Sequence, residues 1–397
     1  MANVSSSNGL EKRPKLRFPG FDEPYRKCRI GDIYAERSQR GAGDMELLSV
    51  TMNGGVMPRS EIEGKDNSSE DKSNYKVVCK GDMVYNSMRM WQGANGVSNY
   101  DGIVSPAYTV LMPTEEIDNQ YFAALFKTSN LINAFRKNSQ GLTSDTWNLK
   151  YPQIRPIRLY IPSLQEQTKI SSFISMLEER IGKQRQLVAA LKKYKRGLLH
   201  EILCEKIKVT KSAWDIHKIG DYLSPKNIKQ LPTPDAPLMA FTATGGVCDK
   251  GERYDRGFLV KDASTKLYKR TDLNDFIYSS NNLDVGSIGL NLYGSAVISD
   301  VYEIFSISGA DPWFISEAIQ QKPVLHQILK YRQGCLYGQY RIYADDFLGV
   351  PIRVPSLETQ KQIGTIFSRL EYKIKSEQAL LGNLESTKTF FLQQLFI

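Results

Sequence analysis

Pro162–Leu203 reads PSLQEQTKISSFISMLEERIGKQRQLVAALKKYKRGLLHEIL, and Pro355–Phe396 reads PSLETQKQIGTIFSRLEYKIKSEQALLGNLESTKTFFLQQLF. The two stretches align without a gap at a constant offset of 193 residues, and 13 of the 42 positions are identical. Among them are Pro162/Pro355, Gln167/Gln360, Leu177/Leu370, Glu178/Glu371, Ile181/Ile374 and Lys195/Lys388. A repeat this long means that one structural plan is used twice. Proline and serine open each copy and no proline interrupts it afterwards, so each reads as one long helix. About 40 residues at 1.5 Å each make a rod of roughly 60 Å.

Apolar residues recur at alternating steps of four and three. The first copy has the seam Leu177, Ile181, Gln184, Val188, Leu191, Lys195, Leu198, Ile202; the second has Leu370, Ile374, Glu377, Leu381, Leu384, Lys388, Phe391, Leu395. This is the spacing of a coiled-coil seam rather than of a broad core-facing stripe. Paired in parallel and in register, Lys195 meets Lys388, and like charges in a seam are costly. Paired antiparallel about the midpoint, Lys195 faces Glu377 and Lys388 faces Gln184. The sequence therefore predicts an antiparallel pair.

The rest of the chain also comes in two versions. Ile30-Gly31-Asp32 returns as Ile219-Gly220-Asp221, and Thr51 with Gly54-Gly55-Val56 returns as Thr242 with Gly245-Gly246-Val247. Asp82–Ser87 (DMVYNS) matches Asp275–Ser280 (DFIYSS), an alternating strand, and Gln140-Gly141-Leu142 matches Gln333-Gly334-Cys335. Helical segments precede these last turns, at about 119–137 and 310–331. The expected order is a disordered arm (1–16), a globular domain (17–161), a long helix (162–205), a second globular domain (206–354) and a second long helix (355–397). The acidic, serine-rich stretch Glu61–Asn74 has no counterpart and reads as mobile. The fold class is α+β: two similar domains separated by two long antiparallel helices, with an internal pseudo-two-fold repeat. Such symmetry suits a reader of two DNA half-sites held at a fixed spacing.

Composition agrees with that reading. Fifty-two basic against 43 acidic residues leave a net charge of +9, which points to an anionic partner, nucleic acid before membrane. No apolar run reaches the ~18 residues of a membrane span, and no signal peptide opens the chain. Five scattered cysteines without C-x-x-C suit a reducing cytoplasm and neither zinc nor a disulfide framework.

Together, the arm Leu16–Phe21 (LRFPGF), the two I-G-D openings, the Q-G-x turns and above all P-S-L-x-x-Q-x-x-I running into a long helix resemble the specificity (S) subunit of Type I restriction-modification systems. The resemblance runs from about Leu16 to Ile397. Members usually carry Pro-Pro-Leu-Glu-Glu-Gln at the helix start; here Pro162–Gln167 is PSLQEQ and Pro355–Gln360 is PSLETQ. The resemblance implies a non-catalytic targeting subunit whose two target-recognition domains each read half of a bipartite site in double-stranded DNA. It implies paired helices that set the spacing and dock two methyltransferase (M) subunits, with restriction/translocase (R) subunits alongside. S-adenosylmethionine, ATP and Mg2+ would then belong to the partners, and no cofactor or metal to this chain.

The residues are consistent with an absence of catalysis. There is no N-P-P-[FY] loop for a flipped adenine, no glycine motif for the methyl donor and no Walker A lysine. His200, His217 and His326 form no metal or base pattern. Asp44 upstream of Glu63-Gly64-Lys65 is a nuclease-like fragment.

Candidate DNA contacts fall on two polar loops in each half. The first half offers Arg89, Trp91, Gln92 and Asn95 after a strand, with Ser139, Gln140, Thr143, Ser144 and Asn148. The second offers Asn281 and Asn282, with Arg332, Gln333, Tyr337, Gln339 and Arg341. Arg, Asn and Gln suit base edges; Ser, Thr and Tyr suit phosphate. The alternative is ordinary surface loops, with Trp147 and Tyr340 packed in the cores. Lys192, Lys193, Lys195 and Arg196 form a basic run that faces either DNA phosphates or water. At the level of the whole chain, an assembly scaffold without DNA affinity and a stand-alone nuclease resting on Glu63 and Lys65 are the competing readings.

Overall fold

The structure is a computed structural model, and it describes residues 2–3, 13–41, 44–52, 54–66, 68–143, 147–210, 213–243, 245–249, 266–281, 283, 287–336 and 339–397. Two long helices, Leu164–Leu203 and Leu357–Gln394, occupy the repeated stretches. The chain divides into two compact units, Met1–Gln186 with Ala379–Ile397, and Leu187–Gln378. The division falls inside both helices, so each unit holds one end of each.

Both units are built on the same four-stranded antiparallel sheet. In the first its order is Tyr34–Glu36, Tyr108–Pro113, Met83–Asn86, Asn95–Val97. In the second it is Leu223–Pro225, Tyr302–Ile307, Phe276–Ser279, Ile288–Leu290. A glycine hairpin accompanies each sheet: Leu48–Thr51 with Gly55–Pro58, and Ala240–Thr242 with Gly246–Cys248. Gly55 and Gly246 have φ of +65° and +62°, where a side chain is disfavoured, and the Thr51 and Thr242 hydroxyls accept from the N–H of the preceding glycines, Gly54 and Gly245, at 2.9 and 3.0 Å. A further pair, Arg26–Arg29 with Arg158–Ile161, returns as Asp215–Lys218 with Pro351–Val354.

The I-G-D motif turns the chain at the end of that pair. Ile30 and Ile219 are fully buried, and Asp32 and Asp221 reach back to accept from the N–H of Arg29 and Lys218 at 2.7 and 2.9 Å. A Cβ on Gly31 would lie 2.2 Å from Cγ of Arg155, so the chains approach too closely there for any side chain. The helical segments expected as single pieces are each broken in two: Asn119–Leu125 and Ser129–Asn138, then Pro312–Ile319 and Lys322–Leu329. Thr128 and Gln321, in extended backbone, cap the second pieces.

Each core closes on the long helices. In the first unit Ile170, Ile174, Leu395 and Phe396 join Tyr121, Phe122 and Phe126. In the second, Ile202, Ile363 and Phe367 join Phe276, Phe305 and Phe314. Within each unit the two helix ends run antiparallel: Lys388 pairs with Glu178 at 2.5 Å and Arg185 with Glu385 at 2.5 Å in the first, and Lys195 with Glu371 at 3.0 Å in the second. The direction is as the sequence predicts; the register is not. Lys195 meets Glu371 and Glu317 (2.6 Å) rather than Glu377, and Lys388 meets Glu178 rather than Gln184. The helix ends are anchored in the globular cores, and that anchoring sets the register. The seam residues Ile181, Val188, Ile202, Ile374 and Leu395 are buried; Leu177, Gln184, Leu191, Lys195, Leu198, Leu370, Glu377, Leu381, Leu384, Lys388 and Phe391 are half-buried.

Two further expectations change. Of the arm read as disordered, Ala2–Asn3 pairs with Leu16–Arg17; residues 1 and 4–12 lie outside the described residues. The stretch after Glu61 is tied down by Arg59, whose guanidinium donates to the carbonyls of Ile62, Gly64 and Lys65 at 2.6, 3.0 and 2.7 Å.

Candidate nucleic-acid interface

In both units one polar loop follows the central strand of the sheet and a second joins it by backbone bonds. In the first unit Leu149 N–H donates to the Ser87 carbonyl at 2.8 Å, and Gln140 and Asn148 exchange backbone bonds of 2.9 and 2.8 Å. In the second, Ile342 N–H donates to the Ser280 carbonyl at 3.0 Å, and Gln333 pairs with Arg341. All four correspondences, Ser87/Ser280, Gln140/Gln333, Asn148/Arg341 and Leu149/Ile342, fall at the same offset of 193. The backbone pairing under the two loops therefore recurs, while most of the side chains on it differ.

On the first unit Arg89 is exposed, and Trp91 and Gln92 sit half-buried on a short turn, Met90–Gln92. Trp91 meets Trp147 edge-on with ring centroids 5.2 Å apart, and Arg136 lies over the other tryptophan at 5.4 Å. Gln140 and Thr143 are exposed; Ser139 and Asn148 are half-buried, and Ser139 is spent capping its helix at the Phe135 carbonyl, 2.8 Å. Asn95 is a correction: it is fully buried in the sheet and its amide donates to the Gly93 carbonyl, so it serves the fold and not a surface. Ser144 lies outside the described residues.

On the second unit the stretch 332–341, read as a loop, carries a hairpin, Gln333–Leu336 with Gln339–Arg341. Asn281 bridges to Arg341, bringing the two candidate loops together. Exposed Arg332 stacks its guanidinium 4.4 Å from the Tyr340 ring centroid. Arg341 already donates to Glu303 at 2.9 Å, and Gln333 to Asp346 at 2.7 Å. Tyr278, its phenol pushed well above its ordinary range by burial, donates to the Ile342 carbonyl at 3.1 Å and holds the hairpin base. Asn282 and Tyr337 lie outside the described residues, as does the side chain of Gln339. Trp147 and Tyr340, which the alternative reading placed in the cores, are half-buried; Tyr340 packs against the second core, and each ring has an arginine over it. A guanidinium held over an aromatic ring keeps its donors near one place, which suits base edges and phosphates.

Sequence reading missed Arg136, Glu303 and Asp346. Arg136 is one of two basic residues, with Lys137, in the last helical turn before the Q-G turn, which is the signal that could have found it. The two acidic partners meet their loops only through folding.

The basic run on the first long helix is divided. Lys195 is 18% exposed and held by Glu317 and Glu371, whereas Lys192, Lys193 and Arg196 are exposed. Desolvation pulls the lysine down but the two carboxylates outweigh it, so its pKa lies above the ordinary value. Asp44, Arg59, Asp66 and Lys72 line a surface cleft, Lys65 lines a second one together with Arg59 and Asp66, and Glu63 is exposed. Among the described residues no group of three or more His, Cys, Asp or Glu could hold a metal ion, and no helix is long and apolar enough to cross a membrane.

Residues 27–193 match the family model of the Type I restriction modification DNA specificity domain. Two solved structures resemble the whole chain. One is the Type I restriction-modification system S subunit from M. genitalium, 14% identical, covering 97% of this chain and 99% of that one, TM-score 0.65. The other belongs to a study of complex assembly and conformational transition of the type I R-M system, 14% identical, covering 96% and 99%, TM-score 0.50. Residues 27–193 are thus similar to the Type I restriction modification DNA specificity domain, and the chain as a whole shares the fold of the M. genitalium S subunit.

Proposed function

We propose that this chain is the DNA-specificity subunit of a Type I restriction-modification complex, and that each unit reads one half of a bipartite site. The observation that carries the reading is the pair of loops that recurs at a fixed offset on the same backbone pairing. A scaffold used twice with different side chains is what two different half-sites require. In the first unit Arg89, Gln92, Gln140 and Asn148, with the Trp91–Trp147–Arg136 stack, are assigned to one half-site. In the second, Asn281, Arg332, Gln333 and Arg341 are assigned to the other; Arg341 and Gln333 would trade their carboxylate partners for DNA. The long helices set the half-site spacing and dock two M subunits, with R subunits joining the assembly. S-adenosylmethionine, ATP and Mg2+ are assigned to those partners, and the chain works in the cytoplasm, where the DNA is.

The test is binding of duplex DNA by the complex with its M subunit across a salt series. A DNA-reading chain gives an affinity that falls steeply with salt. Arg332→Ala is expected to weaken binding to the cognate site by about 5–150-fold, the cost of one lost bidentate contact, and to relax sequence preference in one half-site only. A stable complex with no salt-dependent DNA binding would leave the assembly-scaffold reading instead.

A further inference from the structure

The segment that precedes each globular unit docks on the start of that unit's long helix, and the two docking sites use opposite chemistry. In the first unit Arg17 enters a site where it is 4% exposed and grips Glu166, itself 1% exposed, through two bonds: Nε to Oε1 at 2.8 Å and Nη2 to Oε2 at 2.7 Å. Tyr25 donates to the same carboxylate at 3.2 Å, and the guanidinium lies 5.2 Å from its ring. Adding 193 to both positions gives Thr210 and Thr359. In the second unit those two residues meet as well, hydroxyl to hydroxyl at 2.8 Å, with Ser356 at 3.0 Å from Thr359. The neighbours correspond too: Leu16 packs against the first core and Val209 against the second. One docking geometry thus carries a buried ion pair in one unit and a pair of small hydroxyls in the other.

We propose that these pairs are a key that fixes which arm docks on which unit. The occupant of the first site is residues 13–25 of this chain, and the competitor it excludes is the homologous segment from about Lys206, in the same chain or in a second copy. An arginine placed against Thr359 would meet hydroxyls where Glu166 stands in the first unit, and the one carboxylate among the described residues lining the cavity there, Glu205, is already paired with Arg353. A threonine placed against Glu166 would leave a buried carboxylate without its cation. Breaking one side of a buried pair is far worse than replacing both sides by neutral partners. The key does not depend on whether the loops read DNA. It does decide which exchanges of halves between related chains assemble: a transplanted unit must bring its own preceding segment.

The experiment uses the full chain. Arg17→Thr, Glu166→Thr and the double variant R17T/E166T are compared by thermal melting and by limited trypsin digestion with mass spectrometry of the N-terminus. Each single variant is expected to melt lower by on the order of 10 °C and to lose its arm by cleavage after Lys15. The double variant, now matching the second unit, is expected to regain most of the loss and to protect the arm. Thr210→Arg and Thr359→Glu, singly and together, repeat the pattern in the second unit. A double variant as weak as the single ones, or single variants that melt like the parent chain, would overturn the proposal. If a single variant does not accumulate, the comparison of double variant with parent still decides it.

Discussion

Gln167 and Gln360 show why the helix-start motif has the form it does. Each glutamine accepts, at 3.1 Å, from the backbone N–H of Asp118 or Asp311, the residue that caps the helix Asn119–Leu125 or Pro312–Ile319. Each donates back to the carbonyl of Pro162 or Pro355 at 3.0 or 2.9 Å. One buried side chain thereby ties the long helix to the domain in front of it. Replacing either glutamine by leucine leaves a donor and an acceptor unpaired, and about 1–3 kcal/mol of stability is expected to go, read by chemical denaturation. A loss below ~0.5 kcal/mol would show that water satisfies both groups. Cysteine reactivity gives a second residue-scale expectation. Burial pushes the Cys28 thiol up to about 11, so at pH 8 only about one molecule in a thousand carries the reactive thiolate. Cys204 is exposed. A thiol reagent at pH 8 is expected to label Cys204 at once and Cys28 only on unfolding, with the Cys28 rate climbing as pH approaches 11.

At the scale of elements, direction was legible and register was not. The lysine in each seam rules out parallel pairing on charge alone, and Lys388–Glu178 and Lys195–Glu371 run antiparallel. The register depends on how Leu395, Phe396 and Ile202 lodge in the cores, which no helical period encodes. Glu178→Lys combined with Lys388→Glu is expected to recover the stability that each single reversal loses in chemical denaturation, and Gln184→Lys combined with Lys388→Glu is not. The reverse outcome would restore the register that the seam alone suggests. The loops were half legible. The repeated Q-G turn located them, and repeated turn chemistry is local. The burial of Asn95 and the engagement of Arg341 by Glu303 are not local: a strand end buries one, and a residue 38 positions away neutralises the other.

Over the whole molecule the duplication is the strongest information in the sequence. It shows in the helices at 13 identities in 42 positions, and it shows in the structure as the same strand order in both four-stranded sheets. Outside the repeated landmarks the two halves share little sequence, because a sheet needs only a suitable apolar alternation on its buried face. What the loops recognise is the least legible part, since readout depends on DNA shape as well as on side-chain identity. The central claim, that each unit specifies one half-site, is tested most directly by sequencing the methylome of a host without its own systems that expresses this chain with its cognate M subunit. The account predicts methyladenine in a bipartite motif, two short half-sites across a fixed gap. Exchanging residues 206–354 for those of a related chain should then change one half-site and leave the other and the gap untouched. A motif in a single block, or one in which that exchange alters both halves, would contradict it.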